Sequence, residues 1–316
     1  MARLYDGAKA PQREGGALAL VNPAAARGGG ASLWRRLEGE VRGALPGLAV
    51  AFTRAQGDAE AQAYEWGLRN AGGCLLAVGG DGTVHEAVNG IWRSGSRACF
   101  ALVPTGSGND FARNAGIPLD PFVAVRSLAR AIPRALDLGL LAYQAGADTR
   151  QRVFLNSVSL GLSVRANRWA HRIPWGPGRL RYTLGGLVAI LSGAAERYRI
   201  GTDGTFRFEG LALNLTVANG ACFGGGMRLS PASVPTDGRL ELIVLAPMSR
   251  LRALRALAAL QRGRHLELPE FRVESIRSVQ LAGPPGRWCL EADGEELETA
   301  GSLEVTVLPG RLPLLR

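Results

Sequence analysis

Short apolar runs alternate with helical patterns over the first 134 residues. Four runs have the length and composition of strands, at residues 17–21, 48–52, 75–78 and 100–103. The run at 75–78 predicts a strand buried on both faces. Segments with helical periodicity or helix-start signals follow them. Strands that alternate with helices at this spacing predict a parallel sheet layered with helices, so we expect an α/β domain over residues 1–134.

From residue 135 the pattern changes to short apolar or alternating runs. They lie at 136–141, 153–160, 210–218, 239–245, 279–281 and 303–308. Such spacing indicates an antiparallel sandwich or barrel. We therefore predict a second, mainly antiparallel β-sandwich domain over 135–309, with residues 310–316 packing back on the first domain. A chain of 316 residues that is 47% hydrophobic can supply two such cores.

A glycine-rich turn follows the third predicted strand, and we call it the first glycine turn. It consists of Gly79, Gly80, Asp81, Gly82 and Thr83. Thr83 and Glu86 have the spacing of a capping box, which predicts a helix start. A strand, a glycine turn and a helix N-terminus together present free backbone N–H groups to an anion, and Asp81 could accept Mg²⁺ or its waters. The same residues also suit an ordinary turn between two buried elements.

The second glycine turn, residues 106–110, follows the fourth predicted strand. Gly106, Ser107 and Gly108 precede Asn109 and Asp110, which we expect to cap a helix over 111–116. Because ligands of open α/β sheets bind in crevices at the carboxyl ends of strands, two such turns predict one shared site. The repetition favours a nucleotide site over two unrelated turns.

The net charge and the lysine content limit the binding partners and the catalytic mechanisms open to this chain. The net charge of +10 favours anionic partners, whether phosphates, acidic lipid surfaces or nucleic acid. Lys9 is the only lysine among 37 basic residues and lies outside every motif. P-loop kinases, protein kinases and pyridoxal-phosphate enzymes each need a lysine in the site, so these mechanisms are excluded. Four cysteines without CxxC spacing indicate neither a zinc site nor a disulfide framework.

The two turns carry a family resemblance. GGDGTVHEAVNG followed by PTGSGNDFARNAGIP closely resembles the paired signatures of the diacylglycerol kinase catalytic family, which includes bacterial lipid kinases, sphingosine kinases and ceramide kinases. The first signature also occurs in NAD kinases, whereas the pair at this spacing is specific. The resemblance implies an ATP- and Mg²⁺-dependent kinase that phosphorylates a lipid hydroxyl, with diacylglycerol as the expected substrate and phosphatidic acid as the product.

The resemblance also implies roles for individual residues. The expected nucleotide contacts are Asn22, Thr53, Gly79, Gly80, Gly82, Thr83, Gly106, Ser107, Asn109, Asp110 and Arg181. For Asn22, a plain turn before a helix is an equal alternative. The expected metal ligands are Asp81, Asp110 and Asp237, and for Asp237 a simple turn before a strand explains the residue equally well.

An acidic segment near the C-terminus supplies the third chemical element. It contains Glu291, Asp293, Glu295, Glu296 and Glu298. By itself such a segment would be interpreted as a solvated loop. The resembling family carries Asp-Gly-Glu here, and its Glu acts as the general base. We therefore expect Glu295 to be the base, with Asp293 and Asp81 completing the catalytic set.

Two arginine-rich segments are relevant to whether the protein contacts a membrane. Residues 161–200 combine seven arginines with Trp169 and Trp175, which is typical of a surface that meets lipid headgroups or, alternatively, of a solvated basic face over a core helix. Residues 250–264 favour a core-packing helix with a basic outer face over the alternative of a membrane anchor, with Leu251, Leu254, Leu257 and Ala258 on its apolar stripe. The resemblance implies a cytoplasmic enzyme that associates peripherally with the inner face of the membrane. No nucleic-acid partner is expected, and a homodimer is left open.

Two alternatives remain at this point. A soluble-substrate kinase of the NAD kinase type shares the first glycine turn, although PTGSGNDFAR speaks against it. A non-catalytic module could bind anionic membranes or nucleic acid through its basic face. Acidic residues in all three motifs favour an active kinase.

Overall fold

The computed structural model describes residues 15–176, 178–203, 207–283, 286 and 288–316, so Lys9 lies outside the described residues. The described strands form a ten-stranded mixed sheet, a six-stranded antiparallel sheet and a two-stranded ribbon. No helix in this part of the chain is both long enough and apolar enough to cross a membrane.

The first half is a parallel sheet with helices on both faces. Strands β1 (Ala17–Val21), β2 (Leu48–Phe52), β3 (Cys74–Gly79) and β4 (Cys99–Pro104) lie in the order β2-β1-β3-β4. The helices are α1 (Gly30–Ala44), α2 (Asp58–Gly67), α3 (Asp81–Arg93), α4 (Asp110–Asn114) and α5 (Pro121–Leu128). Leu75 and Ala77 of β3 enter one core while Leu76 and Val78 enter the other, which explains the continuous apolar runs.

The second half contains antiparallel strands and three helices. In chain order these are β5 (Pro133–Ala145), β6 (Asp148–Phe154), β7 (Ser157–Gly161), α6 (Leu162–Arg172), α7 (Gly178–Ser192), β8 (Glu196–Thr202), β9 (Arg207–Ala212), β10 (Asn214–Ala218), β11 (Cys222–Phe223), β12 (Met227–Arg228), β13 (Leu240–Leu245), α8 (Arg250–Gln261), β14 (Phe271–Ile276), β15 (Ser278–Ala282), β16 (Trp288–Ala292), β17 (Glu295–Thr299) and β18 (Ser302–Leu315).

Two sheets enclose the core of the second half. The six-stranded sheet has the order β14-β13-β10-β7-β16-β17. Leu160 and Val217 of this sheet pack with Leu281 and Val305 of the ten-stranded sheet. The predicted fold class, an α/β half followed by an antiparallel β-sandwich, is confirmed.

The long strand β18 connects the two halves. It pairs antiparallel with β15 and β5, and near its end Leu314 pairs parallel with Phe100 of β4. The ten-stranded sheet is therefore continuous from the parallel half into the sandwich. The predicted boundary between residues 134 and 135 falls inside β5.

One predicted helix start is wrong, and a second is right in position but lacks the capping hydrogen bond. Helix α3 begins at Asp81 with Gly80 as its N-cap, so Thr83 and Glu86 already lie inside the helix and form no capping box. In α4, Asn109 occupies the cap position with a left-handed φ of 53° and makes no side-chain cap hydrogen bond. In the first turn the chain enters the helix almost directly from the strand, and Thr83 and Glu86 bond to other segments. Asn109 of the second turn bonds within its own turn instead.

The predicted stripe of α8 is also shifted. Ala253 and Ala256 are its buried residues, and Leu257 is half-buried. Leu251 is 61% exposed because the helix packs through its small residues, which let it approach α7 and the sheet. The helix does lie on the second half, as the core-packing interpretation expects.

Candidate active site

The two glycine turns lie side by side at the carboxyl ends of β3 and β4. A Cβ atom on Gly80 would lie 2.9 Å from the Cα atom of Gly106, so a side chain at Gly80 would force the turns apart. The amide of Thr105 donates to the carbonyl of Gly79 at 2.9 Å. The predicted convergence of the turns follows from this parallel pairing.

Asn22 ties the end of β1 to the first glycine turn. Its Nδ2 donates to Oγ1 of Thr83 at 3.0 Å, and its Oδ1 accepts from the amide of Ala24. The next segment bends over the second glycine turn, where the amide of Ala26 donates to the carbonyl of Thr105 at 2.9 Å. Three separate segments thus meet at one edge of the sheet.

These segments form one side of a cavity of about 1240 Å³, which we call the large cavity. The second half supplies the other side. The lining includes Asn22, Gly80, Asp81, Gly82, Thr83, Thr105, Gly106, Ser107, Asp110, His171, Trp175, Arg181, Tyr182 and Gly225. Within the described part of the chain, Oγ1 of Thr105 and Nε of Arg181 are buried without a hydrogen-bond partner. Unpaired polar atoms at such a wall fit a polar ligand such as a nucleotide.

Three predicted nucleotide contacts lie outside the lining of the large cavity. Gly79 is buried at the end of β3, where a Cβ atom would lie 2.5 Å from that of Thr83. Asn109 braces its own turn, because its Oδ1 accepts from the amide of Gly106 at 2.9 Å. Thr53 is buried, and its amide donates to the carbonyl of Val21. Gly79 and Asn109 therefore shape the turns, while Thr53 lies at the end of β2.

Asp81 and Asp110 bring two carboxylates close together. Burial, and secondly the charge of Asp110, raise the pKa of Asp81 to about 6. Burial also raises the pKa of Asp110, whose oxygens accept from the amides of Gly225 at 2.8 Å and Gly226 at 2.6 Å. Raised carboxylate pKa values mean that nearby protein cations do not balance the negative charge. This environment fits a divalent cation.

Asp237 does not take part in this arrangement. Its Oδ1 accepts from the amide of Arg239 at 2.9 Å, which accounts for the turn before β13. The neighbouring buried Asp137 accepts from the amides of Gly238 and Gly310, each at 2.7 Å. Across the described ranges no group of three or more His, Cys, Asp and Glu side chains has the arrangement of a metal site. A metal-binding role for Asp237 stays a prediction.

Asp293 is held at the centre of the acidic turn, which comprises residues 293–295 and joins β16 to β17. It adopts a left-handed φ of 50°, and its carboxylate accepts from the amides of Leu155 at 2.7 Å, Asn156 at 2.8 Å and Ser157 at 3.1 Å. A fourth contact reaches the first half, where Nδ1 of His85 lies 3.0 Å from Oδ2. The turn is thereby attached to α3.

Glu295, the predicted base, faces two cations. Its Oε2 lies 3.1 Å from Nε2 of His85 and 2.8 Å from Nη2 of Arg152. The hydrogen bond with His85 and the charge of Arg152 outweigh burial and lower the pKa of Glu295. Burial lowers the pKa of His85, but its hydrogen bonds to Asp293 and Glu295 raise that pKa to about 9. Glu295 is therefore an ionised carboxylate at neutral pH.

The acidic turn opens into a smaller cavity of about 230 Å³, which we call the small cavity. Its lining includes His85, Asp293 and Glu295, and it shares Gly82, His171 and Tyr182 with the large cavity. The first glycine turn therefore lies between the two spaces. The three predicted elements come together in one cleft.

Tyr182 of α7 borders a third space as well. Its hydroxyl donates to Oδ1 of Asn167 at 2.9 Å, and Nδ2 of Asn167 donates to the carbonyl of Gly294 at 3.0 Å. Beyond Tyr182, the apolar cavity of about 110 Å³ lies between the six-stranded sheet and helices α6, α7 and α8. It is lined mainly by aliphatic and aromatic side chains, among them Leu162, Ile190, Phe223, Met227, Leu257 and Leu260.

Family models match both halves of the chain. Residues 16–141 match the diacylglycerol kinase catalytic domain, and residues 156–316 match the YegS C-terminal NAD kinase beta sandwich-like domain. The chain belongs to the diacylglycerol kinase family. It is therefore an enzyme of a lipid kinase family, as its paired signatures predict.

Individual proteins that are similar to this chain carry names of the same family. It is 32% identical over 287 residues to a Pseudomonas aeruginosa protein named "Probable lipid kinase YegS-like", with 85% of this chain and 87% of the relative covered. It is 28% identical over 246 residues to the diacylglycerol kinase of Mycobacterium tuberculosis, with 77% and 76% covered. A crystal structure of a diacylglycerol kinase from Bacillus anthracis str. Sterne matches with a TM-score of 0.71 at 20% identity, covering 95% of this chain and 96% of that chain, which shows a common fold.

Sequence reasoning missed three residues of this candidate site. His85 has a usable signal, since it follows Asp81 by four residues and shares its face of α3. Arg152 on β6 carries no local pattern that separates it from other arginines. Tyr182 lies in a mixed apolar and basic segment, and its position between three cavities depends on how α7 packs.

Proposed function

We propose that the enzyme transfers the γ-phosphoryl group of ATP to a lipid hydroxyl, with diacylglycerol as the substrate and phosphatidic acid as the product. One observation carries the proposal. The carboxylate of Glu295 borders a cavity that shares Gly82, His171 and Tyr182 with the large cavity of the glycine turns. A base and a triphosphate site must adjoin in this way for in-line transfer.

The large cavity suits the triphosphate of ATP. Backbone amides of the first glycine turn offer donors at the N-terminus of α3. Nε of Arg181 and Oγ1 of Thr105 have no hydrogen-bond partner among the described residues and would provide further polar contacts. Asp81 would hold Mg²⁺, with Asp110 adding negative charge beside it. When bound, Mg²⁺ neutralises the charge that develops on the transferred phosphoryl group.

Glu295 suits the acceptor side of the reaction. The lipid hydroxyl oxygen forms a bond to the γ-phosphorus, the bond from that phosphorus to the β–γ bridging oxygen breaks, and the hydroxyl proton moves to Glu295. A lowered pKa keeps Glu295 ionised and ready to accept a hydrogen bond from the hydroxyl. The carboxylate of Asp293 keeps the acidic turn in place by accepting from the backbone amides of residues 155–157.

The apolar cavity suits an acyl chain. It adjoins the small cavity at Tyr182, so a chain buried there would place the lipid's polar end near Glu295. Its volume of about 110 Å³ is smaller than a full acyl chain requires, so α7 and α8 would separate further on binding. Leu257 of α8 contacts the position of Gly186 on α7 across this space.

Exposed apolar side chains support contact with a membrane surface. Trp175 is 61% exposed, and Leu191 of α7 is 56% exposed. Several arginines of this region are already engaged: Arg165 with Glu196, Arg168 with Glu296, and Arg179 with Gln261. The apolar residues, more than free arginines, would therefore anchor the enzyme peripherally at the cytoplasmic face of the membrane.

The test is a labelling experiment with the complete chain. It combines γ-labelled ATP, Mg²⁺ and phosphatidylglycerol vesicles that contain diacylglycerol, monoacylglycerol, ceramide or sphingosine, with NAD in a separate reaction without lipid. We expect label in phosphatidic acid. Label in NAD alone, or in no acceptor, would overturn the proposal.

A further inference from the structure

His85 has a carboxylate oxygen at each end of its ring. Nδ1 lies 3.0 Å from Oδ2 of Asp293, and Nε2 lies 3.1 Å from Oε2 of Glu295. The side chain is buried, so water does not compete for either nitrogen. A neutral imidazole has one N–H and would turn a lone pair towards one of the two carboxylates. When both carboxyl groups are ionised, only an imidazolium, with two N–H groups, can donate to both of them.

Among the described residues around His85, none offers an uncommitted donor that could serve a neutral ring. Nδ2 of Asn89 lies 3.3 Å from Nε2, but it already donates to the carbonyls of His85 and Val153, each at 2.9 Å. The orientation of this amide follows from its oxygen, which accepts from the amide of Val153 at 2.9 Å. Both hydrogens of Nδ2 are therefore committed to backbone oxygens.

We propose that His85 is a permanently charged positioning residue that holds Glu295 in the orientation needed to accept the substrate proton. This inference rests on the proposed function, in which Glu295 is the base. Two donors, His85 and Arg152, converge on Oε2. Among the described residues all hydrogen bonds of Glu295 fall on this oxygen, which assigns the substrate proton to Oε1. His85 keeps both of its protons throughout the reaction.

The charges around His85 are consistent with this role. Asp293 and Glu295 of the acidic turn face the ring, and Arg152 of β6 contacts Glu295 at 2.8 Å. Arg152 also contacts Glu60 of α2 at 3.1 Å, which offsets its charge. His171 and Tyr182 line the same small cavity. Two carboxylates against one ring favour the charged form, whereas a single arginine opposes it.

The first test uses the unaltered enzyme. Nitrogen NMR of a ¹⁵N-histidine sample reports the protonation of each ring nitrogen, and the chain has three histidines, which His171→Asn and His265→Gln variants assign. We expect both ring nitrogens of His85 to carry protons from about pH 6 to about pH 8. A neutral tautomer of His85 at about pH 7 would overturn the proposal. This readout does not depend on turnover, so it separates the proposal from the proposed function.

The second test is a pH profile of kcat for His85→Gln. We expect kcat to fall about 30-fold with the KM for ATP changed less than about twofold, because the base is misoriented while the nucleotide site is intact. The acidic limb of the profile moves to higher pH, since the largest cause of the lowered pKa of Glu295 is lost. An unshifted limb would overturn the proposal.

A matched control separates positioning from packing. His265→Gln makes the same substitution at a second fully buried histidine, whose Nε2 contacts the carbonyl of Leu229. This variant shows how much a buried glutamine alone lowers kcat. We expect the acidic limb of its pH profile to stay in place. If His85→Gln does not fold, the NMR result on the unaltered enzyme decides.

Discussion

The amide of Leu155 donates a hydrogen bond of 2.7 Å to Oδ2 of Asp293, across 138 positions of the sequence. The amides of Asn156 and Ser157 bind the same carboxylate. The acidic turn is therefore attached to the junction of β6 and β7, which in turn lies against α3. Asp293 is a structural centre of the cleft as well as a predicted member of the catalytic set.

Asp293→Asn should destabilise the fold. An amide cannot accept from all four donors that surround the carboxylate, so at least one buried donor loses its partner. We expect the free energy of unfolding to fall by about 2 kcal/mol, measured by chemical denaturation. Asp120→Asn is the control, because Asp120 uses only Oδ1 to cap α5 and asparagine caps equally well. Equal stability of the two variants would contradict this account.

Arg181→Gln should weaken nucleotide binding. Its buried Nε lacks a partner among the described residues, and it lines the large cavity. Loss of a charged contact to phosphate should raise the KM for ATP about tenfold, with a smaller change in the KM for lipid. Arg179→Gln, two residues earlier on α7, removes contacts to Gln261 instead and should leave the KM for ATP near the original value.

Leu257→Trp should block the acyl site. The larger side chain fills the apolar cavity, so we expect the KM for diacylglycerol to rise about tenfold or more while ATP binding is unchanged. Steady-state kinetics at varied lipid and fixed ATP measure this. Leu251→Trp places the same side chain at an exposed position of the same helix and serves as the control. An unaffected Leu257→Trp would show that the lipid binds elsewhere.

Glu291→Gln should change how stability depends on pH. Burial, and then the charges of Glu296 and Asp293, raise the pKa of Glu291 to about 8. The unfolded chain ionises this group near its ordinary pKa while the folded chain keeps it neutral. Folding stability from this group is therefore complete below about pH 4.5 and is lost as pH rises to about 8, at up to about 1.4 kcal/mol per pH unit.

Chemical denaturation at a series of pH values checks this. The stability of Glu291→Gln relative to the original chain should increase from about pH 5 to about pH 8, because glutamine does not titrate. Any packing cost of the glutamine is independent of pH, so the slope isolates the carboxyl group. Glu304→Gln, at an exposed position, should show no such slope. A flat difference for Glu291→Gln would contradict the assignment.

Local patterns predict the elements that carry the site. Buried strands such as β3 are visible as apolar runs, and the glycines that follow are required by the close approach of Gly80 to Gly106. The β-rich second half is recognisable because alternation and turn residues are local signals. The family resemblance adds the acidic turn, whose composition alone would indicate a solvated loop.

Contacts distant in sequence explain what was missed. Thr83 bonds to Asn22, 61 positions away, and so does not form the capping box that its spacing predicts. His85 meets Asp293 across 208 positions, and a lone histidine on a buried helix face is most simply interpreted as a core residue. The continuity of the sheet through β18 depends on pairing of Leu314 with Phe100, which no local pattern encodes.

The central claim is that Glu295 accepts the proton of the lipid hydroxyl. Phosphorylation of diacylglycerol in vesicles, followed with γ-labelled ATP for Glu295→Gln and Glu296→Gln, tests it most directly. Both substitutions are isosteric and adjacent, and Glu296 pairs with Arg168 outside the small cavity. We predict that Glu295→Gln lowers kcat by about a hundredfold or more while Glu296→Gln retains most of its activity. Full activity in a folded Glu295→Gln enzyme would contradict the account.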